Sequence, residues 1–307
     1  MRLFLIAGLV LGLGCATTSS SEPEAPPVSK PEASKQEAPK RRASGRQELE
    51  RARTLAREEK TAEAIEAAQS AVDAEPGLEA GYLLLASLRD LSGDGDGMRE
   101  AIERGLAALP KSAALWHAKG MGQLEASTPE VAVVSLREAH VLARKANAEI
   151  AADLAFALIF ADQLAEAEET AKLARSLAPK ALAPAFTHGR ALLGLKRPKE
   201  AIEALEAAAK IDGSDVSVLR RLADARYLAG DSEKALAEYR ALANEAFKDD
   251  PEIYVAIATV LIRMERAGEA VEAMKRAVAL APKDERVKAL LAEAERRAAG
   301  KKGKGKR

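Results

Sequence analysis

Cysteine occurs once in the 307 residues, at Cys15, and histidine three times. A lone thiol closes no intramolecular disulfide and builds no cysteine-type zinc site, so neither staple supports the fold. His117, His140 and His188 stand far apart, none two to four residues from another, so no metal-holding pair forms along a helix. Aromatic residues are only 3% of the chain, which leaves the core to small and aliphatic side chains. Neither charge predominates, with 47 basic and 47 acidic residues. No Gly-rich phosphate loop, GxSxG elbow or HExxH pair is present. The chain therefore reads as non-catalytic and without a cofactor.

What is there begins at the amino end. Arg2 precedes the apolar run Leu3–Leu13, and Gly12 and Gly14 flank Cys15, the layout of a secretory signal. The run is shorter than the roughly 20 residues a spanning helix needs. Leu11-Gly12-Leu13-Gly14-Cys15 resembles the lipobox of bacterial lipoproteins, with glycine where leucine is usual at residue 12. That resemblance implies cleavage before Cys15, its acylation, and durable attachment to a membrane. Ala16 after the cysteine implies the outer membrane. An ordinary cleaved signal is the alternative. Residues 16–45, rich in Ser, Pro, Glu and Lys, are expected to be a disordered tether. A basic tail, 300–307, is expected to be disordered as well. Between these ends, residues 46–299 hold 36 basic and 43 acidic residues, so no specific nucleic-acid partner is expected.

That central part repeats. Ala64, Met98, Ala132, Ala167, Ala201, Ala235 and Ala270 open seven similar segments at spacings of 34, 34, 35, 34, 34 and 35 residues. About twelve residues before each lies a second segment with helical apolar spacing. Each unit thus reads as a helix, a turn and a second helix. Pro76, Pro110, Pro179 and Pro282 end second helices. The pattern resembles the tetratricopeptide repeat, clearly in Tyr82, Leu85, Ala86 and Pro110, in Trp116, Gly120, Ala132, Leu136 and Ala139, and in Tyr254, Ile257, Ala258, Leu261, Ala270, Met274, Ala277 and Pro282. Met98 and His188 depart from it. The resemblance implies an all-α, right-handed superhelical solenoid of about seven helix-turn-helix units over 46–284. Residues 285–299 form one more amphipathic helix, which caps the open apolar end.

In that family the first helices line a concave groove that receives a peptide or a partner protein. Carried onto this chain, the groove residues are Met121, Phe156, Phe160, Phe186, Arg190, Arg220, Asp224 and Tyr227. Four of them are aromatics that the repeat signature does not require, in a chain that has few. Aromatics and arginines together mark binding anchors, although close packing between units would also bury the phenylalanines. The carboxylate clamp of some members is absent, since Leu49, Arg53 and Ser87 occupy its places. One loop has calcium-ligand spacing, with Asp94, Asp96 and Glu103 at the third, fifth and twelfth positions counted from Ser92. The same stretch serves as the turn and acidic helix start that the repeat needs.

The expectation is a lipid-anchored scaffold on the periplasmic face of the cell envelope. It would bind a protein partner in its groove and help assemble a secretin, pilus, motility or cell-wall complex. The rivals are a soluble adaptor and an enzyme subunit completed by its partner.

Overall fold

Fifteen helices follow one another, with no strand among the described residues, which in this computed structural model are 37–304. Seven hairpins pair α1 (Glu37–Arg57) with α2 (Thr61–Ala74), α3 (Glu79–Leu91) with α4 (Gly95–Ala108), α5 (Ala113–Glu125) with α6 (Pro129–Leu142), and α7 (Ala148–Phe160) with α8 (Leu164–Leu177). They continue as α9 (Leu182–Gly194) with α10 (Pro198–Ile211), α11 (Val216–Ala229) with α12 (Ser232–Asn244), and α13 (Pro251–Arg263) with α14 (Ala267–Leu280), closed by α15 (Glu285–Lys304). The architecture is thus an α-solenoid of seven hairpins and a cap, in one compact body from Arg41 onward. The leader with Cys15, the tether up to residue 36, and residues 305–307 lie outside the described residues.

Local chemistry sets the ends of the helices. The residue before each of the four prolines, Glu75, Leu109, Ala178 and Ala281, is the C-cap of its helix, with ψ between 66° and 84°. Proline crowds the α conformation of the residue before it, which forces this break. Asp94, Ser112, Asn147, Asp215 and Asp250 accept hydrogen bonds from the first free backbone amides of α4, α5, α7, α11 and α13. The turn inside every hairpin has one residue in the left-handed region: Glu59, Gly93, Ser127, Asp162, Lys196, Gly230 and Glu265. These positions recur at the same 34- and 35-residue spacing as the sequence pattern, so the turn is part of the repeat.

Packing explains the alanines. Ala64, Ala132, Ala167, Ala201, Ala235 and Ala270, which open the second segments, are fully buried. At the facing position of two first helices stands glycine, and a Cβ on Gly120 or Gly189 would come within 2.5 Å of Leu136 or Leu205. The helix axes approach too closely there for a larger residue. Met98, at the one position where alanine is replaced, is only half buried and reaches Gly122 of the next unit.

Two boundaries differ from expectation. The tether was expected to run to residue 45, yet α1 begins at Glu37, and Gly45, Leu49 and Ala52 are buried. Gly45 packs against Glu75, so the first hairpin needs more of α1 than the apolar pattern indicates. Helix α15 continues past residue 299 to Lys304, into the stretch assigned to the basic tail. Lys301, Lys302 and Lys304 are good helix formers, which carries the helix on past Gly300.

Candidate partner-binding site

The first helices touch across units, α3 with α5, α5 with α7, α7 with α9, and α9 with α11, whereas no two second helices approach as extensively. A stack that is tighter on one side curves toward that side. The first-helix face is therefore the concave one.

Four of the expected groove residues come together where α7 and α9 meet. The Arg190 guanidinium lies over three rings, 4.5 Å from the centre of Phe156, 5.2 Å from Phe160 and 5.7 Å from Phe186. Phe156 and Phe160, one helical turn apart on α7, are 4.9 Å apart and tilted by 57°. Phe156 and Phe186 are half buried, so packing between units claims part of each, while Phe160 is 54% exposed. Packing between units thus accounts for part of Phe156 and Phe186 and leaves Phe160 facing solvent. Burial, with repulsion from Arg221 added, brings the Arg190 pKa down to about 10, which still leaves it cationic at neutral pH.

The other expected residues are spread wider. Arg220 lies 5.4 Å from the Phe247 ring and pairs with Asp250 at 3.2 Å. Asp224 accepts from the Tyr239 hydroxyl at 2.5 Å and pairs with Arg221 at 3.0 Å, so its carboxylate is already engaged within the fold. Burial raises the Tyr239 pKa, with the Asp224 charge adding to it, so this hydroxyl stays a donor. Tyr227 carries Arg263 over its ring at 4.9 Å. Met121 packs on the apolar cluster of α6, α7 and α8.

Sequence reasoning passed over two connections. His117 on α5 bonds Asp153 on α7 at 2.7 Å, a cross-unit link between residues 36 apart. His188, which replaces the signature leucine, lies 3.4 Å from Arg175 and 3.5 Å from Glu168, so the polar substitution gains polar neighbours. No local spacing announces either connection.

The calcium-spaced loop has another use. Asp94 caps α4 through the Gly97 amide at 2.8 Å and pairs with Arg89, Asp96 pairs with Arg99, and Glu103 pairs with Lys119 at 2.7 Å. The three carboxylates serve three separate cations. Among the described residues no cluster of three His, Cys, Asp or Glu side chains stands where it could hold a metal ion. No helix among them is long and apolar enough to cross a membrane.

Family models described as tetratricopeptide repeat match residues 192–254 and 251–284. Among solved structures, a tetratricopeptide repeat protein from Parabacteroides merdae is 15% identical, with a TM-score of 0.58 over 82% of this chain and 99% of that one. The pilF protein of Pseudomonas aeruginosa is 19% identical, with a TM-score of 0.59 over 70% of this chain and 97% of that one. The Cut9–Hcn1 hetero-tetramer of the APC/C is 14% identical with a TM-score of 0.60, and the match spans 74% of this chain and 45% of that one. At these identities the likeness is one of fold. No curated protein sequence matches this chain.

Proposed function

We propose, from the tetratricopeptide repeats matched over residues 192–284 and the repeat solenoid they belong to, that the chain is a non-catalytic scaffold, held on the envelope by lipid, that binds a partner in its concave groove. The observation that carries the reading is the cluster of Phe156, Phe160, Phe186 and Arg190 on that face. Aromatic side chains, phenylalanine included, and arginine are enriched at protein interfaces, and arginine is frequent among their hot spots. An exposed Phe160 beside them offers apolar area to a partner.

The anchoring half rests on the lipobox-like Leu11–Cys15 and on the Pro- and Ser-rich segment after it, which would hold the repeats off the bilayer. Acyl chains contribute about 0.8 kcal/mol per buried CH₂, and several together make attachment durable. A scaffold fixed in this way serves assembly of an envelope complex of the secretin, pilus, motility or cell-wall kind.

Two measurements test the halves separately. Cells fed a clickable fatty acid should label the wild type and leave Cys15→Ser unlabelled and out of the membrane fraction; equal labelling overturns the anchor. Replacing Phe156, Phe160 and Phe186 together by alanine should abolish partner capture from solubilised membranes while the helical circular dichroism persists. Unchanged capture overturns the groove.

A further inference from the structure

The Arg190 site is incomplete as it stands. Of the cations that lie over aromatic rings, Lys119 has Glu103, Arg220 has Asp250, and Arg263 donates to the Tyr227 carbonyl oxygen at 2.6 Å. Arg276, over Tyr254, is exposed to water. Arg190 alone is half buried under three rings and, among the described residues, has neither a hydrogen-bond acceptor nor a carboxylate partner. Arg221 adds a like charge near it, and the carboxylate of Asp224 pairs with Arg221 rather than with Arg190.

A guanidinium carries five donors in a planar fork that matches a carboxylate. Ring faces attract its charge but accept almost none of those hydrogen bonds. Partial burial removes part of the water around the group, and no side chain among the described residues takes its place. An incoming carboxylate would gain a bond strengthened by the apolar rings, at a guanidinium already partly desolvated and held in place by them.

We propose that Arg190 in its phenylalanine cage anchors an aspartate or glutamate side chain of the partner segment, with an adjacent apolar side chain of that segment lying on Phe160. The inference rests on the groove reading above and names the chemistry of its occupant. An internal acidic residue is favoured over a chain end by position. The cage joins the fourth and fifth of seven hairpins, so a bound segment continues along the groove in both directions. The repeats contain more acidic than basic residues, so long-range attraction does not bring an anion here. The contact acts at short range, needs its apolar companion, and depends only weakly on salt.

The probe is a phage-displayed library of random twelve-residue peptides, panned on the full chain. The expected binders carry Asp or Glu next to a large apolar residue. A synthetic, terminally blocked binder should lose roughly tenfold to hundredfold in affinity when its acid is changed to Asn or Gln. Arg190→Gln should lose the same factor, with no further loss when both changes are combined, and Arg190→Lys should retain part of the affinity. The changes within the peptide keep the test valid even where a protein variant folds poorly. Equal binding by Arg190→Gln, with loss in the triple phenylalanine variant, overturns the carboxylate anchor and leaves the groove reading standing. Binders without an acid, binders that need a free chain end, or no binders at all overturn the anchor too.

Discussion

At the scale of single residues, the molecule tolerates local cost where the repeat demands it. Five of the seven hairpin turns place a side-chain-bearing residue in the left-handed region, among them Lys196 at φ 57°, where the other two use Gly93 and Gly230. A Cβ there approaches the following carbonyl and costs about 1–2 kcal/mol. Lys196 is exposed, so Lys196→Gly should stabilise the fifth hairpin by about 0.5–1 kcal/mol after the extra freedom of the unfolded chain is counted. Gly230→Ala should cost about 1 kcal/mol in the sixth. Hydrogen exchange of α9–α10 and α11–α12 reads both, and a destabilising Lys196→Gly would contradict the strain. Histidine gives a second prediction. Burial, with Lys145 nearby, holds His140 below its ordinary pKa of 6.5, and burial outweighs Glu168 in lowering His188. The unfolded chain then takes up protons near pH 6.5 while the folded chain does not, so stability is full above that pH and falls as the pH drops toward the folded values. Urea midpoints should decline between pH 7.5 and pH 5.5, and His140→Gln should flatten part of the slope.

At the scale of elements, the last helix bears the clearest load. Val287 and Ala294 of α15 are fully buried, and Leu291 packs beside them on the cluster of α11 to α14. Removing residues 285–307 should expose that surface and lower the local stability of α13–α14 by about 3–5 kcal/mol, with faster hydrogen exchange confined to that end. Unchanged exchange would show that the helix is an ornament. The need for this cap was legible because each hairpin buries its face only on a neighbour. The second-helix ends at prolines were legible too, since the pre-proline restriction is local. The start of α1 at Glu37 was not, because Gly45 meets Glu75 through tertiary packing and no apolar period marks it. The same limit applies at the site. Phe156, Phe160 and Phe186 stood out as aromatics beyond the signature with Arg190 as a flanking groove residue, but their meeting in one cage depends on how closely α7 and α9 approach. The engagement of Asp224 by Tyr239, fifteen residues away on the next helix, was equally hidden.

At the scale of the whole molecule, a stack with contacts only between neighbours need not unfold as one. The apolar side chains gather in separate clusters, one from Ala52 to Leu115, others from Ala132 onward to Ala294. From α2 onward, sequential helices touch least between α4 and α5. Trp116, the only tryptophan, stands at this seam, packed on the first cluster, with its indole N–H donating to the Pro110 carbonyl at 3.0 Å. Its fluorescence therefore reports the first two hairpins and their junction, whereas far-ultraviolet circular dichroism reports every helix. Leu85→Ala removes a buried side chain from the first cluster at a cost of about 2–4 kcal/mol. In urea, that variant should shift the fluorescence midpoint well below the circular dichroism midpoint, leaving later hairpins folded at concentrations where the seam has opened. Coincident transitions that move together would show instead that the stack is cooperative throughout. Because the Arg190 cage belongs to the fourth and fifth hairpins, Leu85→Ala should also keep its peptide affinity at urea concentrations where the tryptophan signal is already lost.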